Sequence, residues 1–193
     1  MLVHGEPLGH GLGVARDRRE VSNRTPTSPP TQNAGPVNGA CAGGGMALAC
    51  ACDLRYAARS AVFATAFLRV GVSGDHGAVW TVTRAVGPAK ARELFLLGDR
   101  VAADEAARIG LVHGVVADHD LDDHVSGVAT RLAASAPIAV AGLKANLNDA
   151  LILGFSAYLD REAERFGRCL HTEDAREAAR AFLEKRTPTF RGR

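Results

Sequence analysis

Asn38-Gly39-Ala40-Cys41-Ala42-Gly43-Gly44-Gly45, running through the apolar stretch Met46-Ala47-Leu48-Ala49-Cys50-Ala51 into Cys52-Asp53-Leu54-Arg55, decides how this chain is read. The glycine triplet supplies a tight turn, and the apolar run after it predicts a short buried helix over 46–52. Consecutive glycines at a helix start leave backbone N–H groups unpaired within the helix and unscreened by side chains. The aligned peptide dipoles add partial positive charge at the same end. Such a site suits a negative oxygen, for example the oxyanion or enolate that develops on a thioester carbonyl. The same glycines serve equally well as a plain turn that lets a helix and a strand pack closely, and the segment alone leaves both readings open.

Working outward, 193 residues predict one domain, and 47% apolar against 23% charged residues is the balance of a soluble globular chain. Lys plus Arg exceed Asp plus Glu by only +2, too small a surplus to imply nucleic acid, which needs a clustered basic face. No apolar run approaches the roughly 20 residues that cross a bilayer. No secretory signal is visible either, so the expected location is the cytoplasm, away from membranes. The four cysteines, Cys41, Cys50, Cys52 and Cys169, have neither Cys-x-x-Cys pairing nor histidines at metal-ligand spacing. Cys50-Ala51-Cys52 reads as small apolar packing, and no metal or disulfide framework is expected.

Residues 1–35 differ in texture from the rest. Their glycines, Gly9, Gly11 and Gly13, do not have the spacing of a phosphate loop, and Thr25-Pro26-Thr27-Ser28-Pro29-Pro30 is low in complexity. The expected organisation is a disordered or foreign leader over 1–35, a sheet-bearing core over 36–118, and a helical region over 119–193. Strand-like pieces are expected at Asp53–Ala57, Ala61–Phe63 and Leu111–Val116. Helices are expected at 78–86, at 88–97 beyond the Gly87-Pro88 break, and at 102–109. Asp120 is a candidate N-cap for a helix reaching about Ala134, and Pro137 opens the next. Val140, Leu143, Leu147 and Leu151 then share one face. Phe155, Leu159, Phe166 and Leu170 share another, and Ala178, Ala179 and Phe182 line a stripe on a last helix over 174–185. No internal sequence repeat is evident.

Several motifs, in this order, carry a resemblance. They are Asn38-Gly-x-x-x-Gly43-Gly44-Gly45 with Cys52-Asp53-Leu54-Arg55, and the Phe63…Gly71…Gly74-Asp75 loop. Arg84-x-Val86-Gly87-x-Ala89-x-Ala91, Leu97-Gly98-Asp99-Arg100 and Ala106…Gly110-Leu111-Val112 follow. The last is Ala181-Phe182-Leu183-Glu184-Lys185-Arg186-x-Pro188-x-Phe190. Together they resemble the crotonase, or enoyl-CoA hydratase/isomerase, family. The resemblance implies an α/β ββα-spiral core, here incomplete at its N-terminal side, and a C-terminal helical region used for trimer or hexamer assembly. It also implies an acyl-CoA thioester substrate, with coenzyme A entering as part of the substrate and no separate cofactor.

The residue roles follow from that resemblance. Gly44 would give one backbone N–H to the oxyanion hole, and the other would come from an earlier unit that has no counterpart here. Hydratases of the family place glutamates where this chain has Ala47 and Phe67, neither of which can move a proton. Asp75 is left as the acid/base candidate, or as a cap or N-terminal charge for the helix beginning near Ala78; His76 beside it reads as a loop histidine rather than a base. Gly43, Gly45, Phe67, Phe182 and Lys185 are the candidate substrate and CoA contacts, and Arg176, Arg180 and Arg186 read as a solvated face. The expected activity is enoyl-CoA double-bond isomerisation through an oxyanion-stabilised enolate. The alternatives are a catalytically inactive, truncated crotonase-like chain acting as an oligomerisation partner, and an enoyl-CoA hydratase.

Overall fold

A computed structural model describes residues 34–193. The expected leader lies outside the described residues except for Ala34 and Gly35, which already belong to the first strand. Strands β1 (Ala34–Val37) and β2 (Ala40–Ala42) lead into helix α1 (Gly44–Ala51). Strands β3 (Leu54–Ala58) and β4 (Val62–Ala64) lead, through a long loop, into α2 (Ala78–Leu97). The second unit stacks on the first. Ala34 lies opposite Leu54 in the parallel β1–β3 pair, and Ala40 opposite Val62 in the parallel β2–β4 pair. The chain thus winds through a spatial ββα repeat although its sequence shows none, because only the apolar, small character of the inward residues has to recur.

Strands β5 (Val101–Ala102) and β6 (Gly114–Val116) complete two three-stranded sheets, ordered β1-β3-β6 and β2-β4-β5. Between them lies α3 (Ala103–Arg108). The core forms where the two sheets meet α1, α2 and α3, around Met46, Phe63, Val82, Ala106 and Leu111, all essentially inaccessible. Each such large side chain contributes about 1.5–3 kcal/mol by leaving water. Arg55 is also buried here. Its Nε donates to the Leu111 carbonyl at 2.8 Å and its Nη1 to the Cys52 carbonyl at 2.9 Å, so carbonyls rather than a carboxylate hold this cation.

Gly87 (φ 80°, ψ 163°) breaks the α2 ladder where the Gly-Pro pair predicts it, and Pro88 starts the second half. The strand expected from Leu111 begins only at Gly114. Leu111 and Val112 instead donate to the Ala106 carbonyl, at 2.8 and 3.2 Å, and turn their side chains into the core.

The C-terminal part consists of α4 (Leu121–Ala133), α5 (Pro137–Asp149), α6 (Phe155–Leu170) and α7 (Glu173–Leu183). Helices α5 and α6 pack through a polar seam. Arg165 donates to Asn146 at 2.7 Å and to Asp149 at 2.6 Å, and its stem lies beside Gly142. Leu143, Leu147, Leu151, Phe155, Phe166 and Leu170 therefore face outward, exposed in the isolated chain. On α7 the buried side runs through Asp174 and Ala181, with Ala178 of the expected stripe half-buried between them and Ala179 and Phe182 exposed. The reason is the chain's last segment, which folds back along α7: Asp174 accepts the N–H groups of Arg191 and Gly192 at 2.7 and 2.9 Å. Among the described residues no single helix is long and apolar enough to cross a membrane.

Candidate oxyanion and acid–base site

The N-terminus of α1 is built as the glycine triplet requires. Gly43 takes φ 51° and ψ −120°, a conformation strained for any side-chain-bearing residue. Its N–H donates to the Ala64 carbonyl, and its own carbonyl accepts the Ala47 N–H, each at 3.1 Å. That last bond is the first of the helix, so the N–H groups of Gly44, Gly45 and Met46 have no acceptor within it. No acidic residue occupies the first turn. A Cβ on Gly45 would meet nothing within 4 Å, and one on Gly44 would meet only the His76 ring, with Cδ2 at 3.4 Å and Nε2 at 3.9 Å.

The loop between β4 and α2 brings His76 there. Thr65 anchors its start by donating from a buried hydroxyl to the Leu94 carbonyl at 2.9 Å. Gly74, His76 and Gly77 all have positive φ, at 132°, 49° and 72°. The bend this produces carries the exposed pair Asp75 and His76. The Asp75 carboxylate takes the His76 backbone N–H on Oδ1 at 2.6 Å, while the His76 ring Nε2 lies 3.3 Å from Oδ2. Asp75 does not cap α2 with its side chain. The N-cap position belongs to Gly77, and Asp75 contributes only its carbonyl, which accepts the Ala78 N–H at 2.9 Å.

Behind this polar edge the site is apolar. Ala47, in the first turn of α1, Phe67 and Ala78, the first residue of α2, form one buried cluster with Phe95 against it. The Phe67 and Phe95 rings stack at 6.1 Å between centroids. The two positions singled out as glutamate positions thus meet in space and hold hydrocarbon. Phe67 is only 7% exposed, so it can offer a ligand no more than a ring edge.

The sequence profile of the enoyl-CoA hydratase/isomerase family matches residues 34–193, the whole described part of the chain. The chain belongs to the enoyl-CoA hydratase/isomerase, or crotonase, family. It is 38% identical to a "Probable enoyl-CoA hydratase" of Rhodobacter capsulatus over 98% of this chain and 76% of that protein. It is also 38% identical to a crotonyl-CoA hydratase of Syntrophomonas wolfei, over 80% of this chain and 59% of that one. Among solved structures, an enoyl-CoA hydratase from Bacillus anthracis superposes with a TM-score of 0.78 at 34% identity, covering 81% of this chain and 60% of that one. The chain therefore spans about three-fifths of the length of the S. wolfei and B. anthracis proteins. The resemblance argued from motif order was to this family, and its crotonase fold is the one observed.

Within this crotonase chain the remaining candidates lie elsewhere. Phe182 and Lys185 sit at the end of α7. Phe182 is 82% exposed, and Lys185 ends the helix by turning left-handed at φ 54°. No hydrogen bond or ion pair among the described residues joins either to Gly44 or Asp75. Arg186 is not merely solvated. It binds both oxygens of Glu177 and one of Glu184, and this guanidinium holds the Glu177 carboxyl down at about 2. Burial pushes the Cys41 thiol up to about 11, and that of Cys50 upward too, which leaves both poor nucleophiles at neutral pH. Among the described residues no group of three or more His, Cys, Asp or Glu is placed to hold a metal ion. The sequence assigns Arg55 no role beyond its motif and reads His76 as a loop histidine. For Arg55 the signal was a charged residue inside a strand of small apolar ones. For His76 it was a side-chain-bearing residue wedged between Asp75 and Gly77 in a glycine-rich bend.

Proposed function

We propose that this chain acts on acyl-CoA thioesters and moves a double bond from the 3,4- to the 2,3-position through an enolate. The observation that carries this reading is the shared apolar cluster of Ala47 and Phe67 beside an oxyanion-type helix start whose adjoining carboxylate is Asp75. With hydrocarbon at both positions, nothing there binds and activates a water. One carboxylate suffices for isomerisation: Asp75 removes a proton from C2, the thioester oxygen gains the charge opposite the Gly44 N–H, and Asp75 returns the proton to C4. No electron changes hands, so the reaction asks for no redox group, and coenzyme A enters only as part of the substrate. Gly43 and Gly45 would shape the thioester seat, Phe67 its apolar floor, and Phe182 and Lys185 a contact for CoA, the lysine as a point charge for phosphate. The outward apolar faces of α5 and α6 support assembly with further copies, as a trimer or hexamer.

Asp75→Asn tests the reading with 3-hexenoyl-CoA as substrate. Turnover should fall by roughly 10²–10⁴-fold, the usual weight of a general acid–base, while melting changes little because Asp75 is exposed and does not cap α2. Undiminished isomerisation by Asp75→Asn would remove this residue from the mechanism. Hydration is the second reading, favoured by the hydratase names of the R. capsulatus and S. wolfei relatives. Efficient hydration of crotonyl-CoA by the wild-type chain, followed by loss of enoyl-thioester absorbance, would decide for it.

A further inference from the structure

The Asp75 carboxylate is 67% exposed on a loop, where a lone carboxylate would sample several rotamers and face water. A base that must serve two carbons of one substrate needs a fixed position. Both of its oxygens are engaged by the next residue along the chain. Oδ1 accepts the His76 backbone N–H at 2.6 Å, and Oδ2 lies 3.3 Å from ring Nε2. This double contact depends on the left-handed backbone of His76, φ 49°, which is uncommon for a residue other than glycine. The same ring edge, Cδ2 and Nε2, rests where a Cβ of Gly44 would begin, at 3.4 and 3.9 Å. One imidazole therefore lies beside both the carboxylate and the start of α1.

We propose that His76 is a positioning residue: its N–H and its ring together fix the Asp75 carboxylate against the Gly44 end of α1. The ring Nε2 beside Oδ2 confines the carboxylate, which keeps its remaining lone pairs for the substrate proton. This inference rests on the reading of Asp75 as the base.

His76→Gly removes the ring, keeps the backbone N–H and suits a positive φ, so the fold should survive with an unchanged or higher melting temperature. The expected result with 3-hexenoyl-CoA is a fall in kcat of about tenfold with KM nearly constant, the pattern of a lost transition-state arrangement rather than lost binding. His76→Asn tolerates the left-handed backbone and restores a side-chain donor, and it should recover part of kcat. If His76→Gly keeps wild-type kcat, or changes only KM, while Asp75→Asn is inactive, the positioning role is wrong and the base stands. If Asp75→Asn itself isomerises normally, the underlying reading fails and this one falls with it.

Discussion

Replacing Gly44 by alanine separates what α1 needs for stability from what it offers to chemistry. Gly44 has a right-handed helical backbone, unlike Gly43, so alanine fits without strain and should stabilise the helix by up to about 1 kcal/mol. For a domain of this size that corresponds to roughly 2–4 °C in melting temperature. The new methyl meets only the His76 ring, at 3.4 Å, and an exposed ring can shift a few tenths of an ångström. The same methyl, however, stands over the N–H that would receive the enolate oxygen. Loss of one oxyanion donor costs on the order of 10²–10³ in kcat, and partial screening should cost at least about tenfold. Gly43→Ala should behave in the opposite way, losing about 1–3 kcal/mol because alanine cannot relax at φ 51° and ψ −120°. Gly45→Ala, also helical and with open space before it, should stabilise α1 by a similar amount. Thermal melts of the three variants, paired with initial rates on 3-hexenoyl-CoA, read both quantities. A Gly44→Ala protein that melts like wild type and turns over like wild type would refute the placement of the reacting carbonyl at this helix start.

Ala47→Glu should not produce a hydratase. The new carboxylate would be buried against Phe67, Ala78 and Phe95 without a partner, at a cost of several kcal/mol, and a denaturation midpoint equal to wild type would contradict the dry cluster. The fold-back of the C-terminal segment should be acid-labile. The Glu177 carboxyl, at about 2 in the folded chain against an ordinary 4.5, favours the docked segment above about pH 4.5, and that contribution is lost as pH falls toward 2. The protection factor of the Thr189 amide, which donates to Glu177 at 3.1 Å, should fall over that interval, and an unchanged protection factor would show that Glu177 does not hold the segment.

What the sequence determined by itself is local. The glycine triplet marks the start of α1, Gly87-Pro88 breaks α2, Pro137 opens α5, and the phenylalanine and leucine spacing makes α6 amphipathic. Each depends on the φ and ψ of a few residues or on a helical period, and these are written in neighbouring letters. Tertiary structure alone decided the rest. The stacking of β1 on β3 and of β2 on β4 joins segments about twenty residues apart that share no repeated pattern. Ala47 and Phe67 become one cluster only because two helix starts converge. The polar seam of Arg165 with Asn146 and Asp149, not the leucines, joins α5 to α6, and the returning C-terminal segment selects which side of α7 is buried. The meeting of His76 with Gly44 and Asp75 follows from three positive-φ residues in one bend. Periodicity fixes which residues of an element lie on a common face. What that face meets depends on contacts between segments distant in the chain, and those are settled by packing and by the pairing of buried polar groups.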